Sequence, residues 1–214
     1  MNKKRVLLFG GLFDPVHIGH LLVAGMLLDL FGNWDEVWFL PSPSSKAFSR
    51  SLTEKAPASI YSRINMLSIA VKAAEVVGMK ICTHGIDELN EICEYSRIKG
   101  LIKKFPHCEF SYLVGTDQAN TIRKWKNSRH FLRLIPFVVV SRVYFGNSKP
   151  PEWALSEPHL FLDLKGAIPY TSSSAIRAMI GRNEKPVYNG MALLPDLVLR
   201  YIHRNKLYGY TSED

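Results

Sequence analysis

His17 and His20 stand three residues apart in the stretch GGLFDPVHIGH, residues 10–20, with Gly19 between them. Side chains at that spacing share one side of a helical turn, so both imidazoles can offer N–H donors to a single group. A helix start is also where backbone N–H groups lack partners and the helix dipole is positive, which suits an anion. Gly10 and Gly11, followed by Leu12 and Phe13, form the turn that leads in. Two residues without a Cβ let backbone N–H groups approach a bulky anion. A single histidine in a first turn is more often a cap or a core residue. Two of them after an apolar run that closes on glycine point to phosphate. The loop is neither GxGxxG nor GxxxxGK[ST], so it matches neither common nucleotide fingerprint.

A second place for the same chemistry lies far along the chain, in TSSSAIR, residues 171–177. Hydroxyls ahead of an apolar helical pattern make an N-cap. Ser173 and Ser174 add donors at this second helix start, and Arg177 follows Ser174 on the same face. A guanidinium grips phosphate in a planar, bidentate way. Taken alone, a serine-rich cap with a nearby arginine is mostly structural. Arg142, just past the strand-like IPFVVVSR, is a further candidate for an anion site.

These residues need elements to hold them. RVLLFGG (5–11), EVWFLP (36–41), MKICTH (79–84), FSYLVGTD (110–117), IPFVVVSR (135–142) and HLFLDL (159–164) read as strands. Helical patterns fall at 19–31, 58–77, about 89–104, 118–126, 170–181 and 193–209. Residues 42–57, rich in Ser, Lys and Pro, and residues 147–158 read as loops. Strands alternate with helices, so the expected fold is α/β, a doubly wound parallel sheet in one domain over 1–214 with a helical C-terminal part from about 171. In such sheets ligands bind beyond the carboxyl ends of the strands, which is where the imidazole loop falls.

Bulk properties narrow the partners. Hydrophobic residues at 47% and charged residues at 21% exclude a disordered chain. Lys and Arg number 27 against 19 Asp and Glu, a formal net charge of +8, which favours nucleotides, nucleic acid or an anionic membrane. No basic stripe with interleaved aromatics is present, so nucleic acid is not expected. No stretch has the roughly 18 apolar residues of a membrane span. Cys82, Cys93 and Cys108 form no CxxC pair, which argues against a disulfide framework or a structural zinc site and fits a cytoplasmic location. The basic, apolar start is interrupted by two glycines and Asp14-Pro15, unlike a secretion signal.

Together the two motifs resemble the HxGH and ISSTxIR signatures of the nucleotidylyltransferase superfamily, and within it the bacterial nicotinate-nucleotide adenylyltransferase family. GGLFDPVHIGH is similar to that family's GG[TS]FDPxHxGH, FSYLVGTD with RKWK to its FxxGxD…W segment, and LLPDLVLRYIHRNKLY to its closing LxPxxVxxYIxxxxLY. The resemblance implies a Rossmann-like fold and transfer of the adenylyl part of ATP to nicotinic acid mononucleotide, releasing pyrophosphate. It implies that His17 and His20 contact the ATP phosphates, with His20 at the α-phosphate. Ser173, Ser174 and Arg177 would hold the β- and γ-phosphates, and Lys46 would close over them. Gly115 and Asp117 would serve the adenosine ribose, although Asp117 equally suits a helix N-cap. Mg²⁺ would bind mainly through phosphates and water, and Asp14 would order the loop.

Departures from the family pattern fall on both sides of the site. Leu12 stands where Thr or Ser is usual, and Thr171 and Ser174 replace the Ile and the Thr of ISSTxIR. The SYT-like segment that holds the nicotinate ring is reduced to Tyr95-Ser96, with Glu94 before them, while Trp125 resembles the family's stacking tryptophan. The acceptor therefore stays open between nicotinic acid mononucleotide, nicotinamide mononucleotide, phosphopantetheine and a cytidylyl reaction. A non-catalytic basic nucleotide- or nucleic-acid-binding protein is the alternative outside the class. The state of assembly, homo-oligomer included, is not legible from the sequence.

Overall fold

Apolar runs that end on glycine fold as parallel strands. The computed structural model describes residues 2–42, 58–86, 93–141, 149–164 and 166–211. Six strands, β1 (Lys4–Gly11), β2 (Glu36–Pro41), β3 (Met79–Ile81), β4 (Cys108–Gly115), β5 (Phe137–Val140) and β6 (Leu160–Leu162), form one sheet in the order β3-β2-β1-β4-β5-β6. Every pairing in it is parallel. The chain winds outward from β1 in one direction and from β4 in the other, so a crevice opens at the carboxyl ends of these two central strands.

Each central strand is largely apolar where both of its faces are covered, over residues 6–9 of β1 and 112–114 of β4. Leu7 and Phe9 pack with α1 (Ile18–Asp29), α2 (Ile60–Ala74), α6 (Ser173–Gly181) and α7 (Asp196–Arg204), through Ala24, Leu27, Met66, Leu67, Ile176, Ile180, Val198 and Ile202. Val6 and Leu8 point the other way, toward α3 (Glu94–Lys104), the short α4 (Thr116–Ala119) and α5 (Ser128–Leu134), where Ile98, Leu101, Ala119 and Phe131 meet them.

The structure differs from the periodicity reading at four places. The expected helix over 118–126 is α4, a 3₁₀ turn at Ile122–Lys124 and then α5. The Thr121 hydroxyl bonds back to the carbonyls of Asp117 and Gln118, a local alternative to a continuing helix. Asn127, at φ +60°, resets the direction. The expected helix over 193–209 is confined to α7, since Pro195 sits at its N-cap and Lys206 and Tyr208 turn left-handed at φ +49° and +59°. Between α6 and α7 a small antiparallel hairpin, β7 (Val187–Tyr188) and β8 (Met191–Ala192), turns on Asn189-Gly190 at φ +48° and +78°. Asn-Gly is the strongest short-range hairpin signal, and it was there to be read. A 3₁₀ turn, Glu152–Leu155, also lies within the stretch expected to be a loop.

At the amino ends of the strands Glu36 is buried and accepts from Lys4 Nζ at 2.9 Å, Lys80 Nζ at 2.7 Å and Trp38 Nε1 at 2.6 Å. Burial alone would raise its pKa, but these three donors outweigh it and bring it down to about 2. A carboxyl with a lowered folded-state pKa adds stability above its unfolded value, and that stability is lost as pH falls through the folded value. Between pH 4.5 and 2 the wild type should therefore lose urea resistance more steeply than Glu36→Gln. Urea titrations of both proteins across that window check this.

Candidate active site

His17 is the N-cap of α1, in extended backbone, and Ile18, Gly19 and His20 are its first turn. The His20 Nδ1 atom accepts from the His17 backbone N–H at 3.2 Å. That bond leaves the proton of a neutral His20 ring on Nε2. The two imidazoles stack face to face with centroids 3.7 Å apart, and the rings of Phe13 and Phe9 lie 5.1 and 5.8 Å from His20. Both histidines are buried. Their orientation is thus fixed before any ligand arrives.

The two glycines also leave room for aromatic side chains of the fold. A Cβ on Gly10 would overlap the Tyr112 hydroxyl and stand 2.8 Å from Tyr112 Cζ, and one on Gly11 would stand 3.0 Å from the Phe13 ring. Aromatic side chains occupy the space those Cβ atoms would need. Phe13 is itself buried at φ +49°, a strained conformation for a bulky side chain of the kind that clusters at functional sites. Leu12 contributes its carbonyl, which accepts from Arg63 Nη1 at 2.7 Å.

The second motif packs directly on the first. Ser172 is the N-cap of α6, its hydroxyl accepting from the Ala175 N–H at 3.2 Å. The Ser173 hydroxyl donates to the Pro15 carbonyl at 2.9 Å, and Arg177 Nη1 donates to the Asp14 carbonyl at 2.7 Å. Ser173 and Arg177 therefore tie α6 to the imidazole loop, while Ser174 stands exposed at the helix start, 3.4 Å from the Ser172 hydroxyl. The junction is tight. A Cβ on Gly19 would lie 2.5 Å from Thr171 Cγ2 and 3.1 Å from His17 Nδ1. Overpacking of this kind costs about 1–3 kcal/mol. Gly19→Ala should push the motifs apart and lower activity at least tenfold, and Thr171→Ser, which removes Cγ2, should restore part of it. Steady-state kinetics on the single and double variants would check this.

Behind the loop lies a charged hub centred on Asp14, the residue expected to order the loop, with Arg63, which the sequence motifs do not name, beside it. The Asp14 Oδ1 atom accepts from the Tyr208 hydroxyl at 2.7 Å and the Ala58 N–H at 3.1 Å, and Oδ2 lies 4.0 Å from Arg177 Nη1. Arg63 adds bonds to the carbonyls of Leu12, Ser42 and Ala58. Burial raises the Asp14 pKa against the opposing pull of Tyr208, Arg177, the Ala58 N–H and Arg63. The signal for Arg63 was its place on a core stripe, since Arg63, Met66, Leu67 and Ala70 are the buried residues of α2. A charge among apolar residues at helical spacing is a buried charge in need of partners.

On the β4 side Gly115 is the N-cap of α4, and Asp117 lies inside that helix rather than capping it. Its Oδ1 is buried and has no hydrogen-bond partner among the described residues. Tyr95 and Ser96 sit on the first turn of α3, and Trp125 is packed at the edge of the core 6.5 Å from Phe131. Cys93 joins the two segments, with its sulfur 3.5 Å from the Ser96 hydroxyl and 3.6 Å from Asn127 Nδ2. Lys46 and Arg142 lie outside the described residues. The fold thus brings the imidazoles, Ser173, Ser174 and Arg177 together, and sets Tyr95 and Ser96 on α3, with the segment after Trp125 tied to that helix start through Cys93 and Asn127.

Known proteins are similar to this chain in sequence and fold. Residues 8–179 match the cytidylyltransferase-like family model. A Bacillus mycoides protein described as a probable nicotinate-nucleotide adenylyltransferase is 33% identical over 207 residues, 96% of this chain and 98% of the relative. A Bacillus cereus relative with the same description is 32% identical over the same extent. The solved structure of Plasmodium falciparum nicotinic acid mononucleotide adenylyltransferase complexed with NaAD superposes with a TM-score of 0.77 at 19% identity, covering 97% of this chain and 98% of that one. The same enzyme complexed with APC gives 0.76. With its imidazole and serine-arginine motifs joined across a sheet of this order, and with relatives matched from end to end, the chain belongs to the cytidylyltransferase-like family, on its nicotinate-nucleotide adenylyltransferase branch.

Proposed function

We propose that this protein is an adenylyltransferase that joins the AMP part of ATP to nicotinic acid mononucleotide, giving the deamido dinucleotide and pyrophosphate in NAD biosynthesis. The observation that carries the reading is the pair of bonds from Ser173 and Arg177 to the carbonyls of Pro15 and Asp14. They bring the N-terminus of α6 beside that of α1. Two positive helix ends with imidazole, hydroxyl and guanidinium groups between them suit a triphosphate. The relatives named above carry the same activity in their descriptions.

A phosphate oxygen of the mononucleotide attacks the α-phosphorus of ATP in line. The new P–O bond forms as the bond to the β-phosphate bridging oxygen breaks, and pyrophosphate leaves with that electron pair. No covalent bond to the protein is required, so its work is positioning and charge stabilisation. His20, with its proton on Nε2, donates to the α-phosphate oxygen on which charge develops, and the stacked His17 holds it there. Ser174 and the first-turn N–H groups of α6 meet the outer phosphates. Arg177 adds its charge while tied to Asp14, and Asp117 receives the ribose hydroxyls. Tyr95, Ser96 and Trp125 form the acceptor side.

Mg²⁺ enters with ATP in this reading. Among the described residues no three His, Cys, Asp or Glu side chains are grouped to hold a metal. Such an ion would be held mainly through the phosphates and water and would offset phosphate charge. No described helix is long and apolar enough to cross a membrane.

The test is to incubate the protein with ATP, Mg²⁺ and nicotinic acid mononucleotide and to quantify dinucleotide and pyrophosphate. Equal amounts of the two are expected, with less product from nicotinamide mononucleotide. Pyrophosphate formation with none of the mononucleotides offered would overturn the proposal.

A further inference from the structure

Glu94 stands where the chain departs from the family pattern, and the site described above gives it no role. It is the first residue of α3, immediately before Tyr95 and Ser96. Its Oε1 accepts from the Tyr112 hydroxyl at 2.9 Å and lies 4.0 Å from Arg97 Nη1. Tyr112 is buried between Phe131 and Phe137, at ring distances of 5.0 and 5.4 Å, and its hydroxyl lies against Gly10, where a Cβ would otherwise be. The Glu94 Oε1 atom is itself 3.5 Å from that Cβ position. Arg97, also buried, holds this end of α3 to the sheet through the carbonyls of Pro41, Cys82 and His84.

We infer that Glu94 is a positioning residue that acts through the Tyr112 hydroxyl on Gly10, coupling the acceptor side of the site to the triphosphate loop. The inference rests on the adenylyltransferase reading above. Gly10 precedes the strained Phe13 turn and the two imidazoles, so a small displacement of its backbone is passed to the groups that meet ATP. Tyr95 and Ser96 share the first turn of α3 with Glu94, so a mononucleotide that settles on that turn also fixes the carboxylate. Burial and the nearby Glu94 hold the Tyr112 pKa well above its ordinary value, which keeps the hydroxyl a donor at any working pH. Coupling of this kind is reciprocal. If the acceptor tightens ATP binding, ATP tightens the acceptor by the same factor.

The experiment measures the affinity of a non-hydrolysable ATP analogue with and without saturating nicotinic acid mononucleotide. It compares wild type, Glu94→Ala, Glu94→Gln, Tyr112→Phe and the Glu94→Ala/Tyr112→Phe double variant, with melting temperatures alongside. In the wild type the acceptor should tighten analogue binding. Glu94→Ala and Tyr112→Phe should each weaken it about tenfold, the effect of losing a hydrogen bond to a charged group, and abolish the tightening. The double variant should be no worse than either single one, because both remove the same bond. Glu94→Gln retains an acceptor oxygen and should stay close to wild type. Tyr112→Phe keeps the ring and its packing, so the fold is preserved.

Additive losses, an unchanged tightening factor, or a loss confined to melting temperature would overturn the inference. The analogue affinity alone tests the link from Glu94 to Gly10 and requires no turnover. A wild type that forms no dinucleotide would count against the proposed function instead.

Discussion

Replacing His20 by alanine is expected to lower kcat at least a hundredfold, with a much smaller change in the KM for ATP. The reasoning is geometric. The ring is held on one side by the stacked His17 and on the others by Phe9 and Phe13, and its Nδ1 is engaged by the His17 N–H. A donor fixed in this way does not reorganise as charge develops on the α-phosphate. Removing one such donor from an enzyme site costs about a hundred- to a thousandfold in kcat. Ground-state ATP keeps its other contacts, so the effect should fall on kcat. Alanine also opens space beside two phenylalanines, and a melting curve separates a catalytic loss from unfolding. Undiminished activity in a folded His20→Ala protein would remove His20 from the role given to it.

The second large effect is expected at Asp14, on stability. Asp14→Ala should lower stability by about 3 kcal/mol, because a buried charge network loses its centre. The Tyr208 hydroxyl and the Ala58 N–H lose their shared acceptor, and Arg177 loses a neighbouring countercharge. For a chain of this size that corresponds to a drop of roughly 10 °C in melting temperature. Asp14→Asn behaves differently. It keeps Oδ1 as an acceptor and has no charge to desolvate, so it should melt close to the wild type. The pH dependence follows in sign. A carboxyl whose pKa is raised by burial favours the fold below its folded-state value, and the advantage declines as pH rises through that value. Asp14→Asn lacks this component. Differential scanning calorimetry of the three proteins at several pH values checks both statements.

Some of this was open to a reader of the sequence, and some was not. The sheet was legible because buried parallel strands are written as continuous apolar runs, as in RVLLFGG and IPFVVVSR. The imidazole loop was legible because its residue types and spacing have few other uses. The closeness of the two motifs was a topological inference, and the bond from Ser173 to Pro15, 158 residues away in sequence, is its physical content. Periodicity overextended the helices at 118–126 and 193–209. Apolar spacing does not register a threonine that bonds its own backbone or a residue that turns left-handed. The purpose of Gly10 could not be read locally, because the Tyr112 hydroxyl that requires it comes from another strand. Arg63 and Arg97 were readable in principle, as charges among buried helix positions, but their partners are carbonyls that no sequence pattern names.

The most direct test of the whole account is a crystal structure of the protein with a non-hydrolysable ATP analogue and Mg²⁺. The α-phosphate is expected within about 3 Å of His20 Nε2, an ordinary hydrogen-bond distance, with the outer phosphates over the N-terminus of α6 at Ser174 and Arg177. A triphosphate seated away from either motif would contradict it.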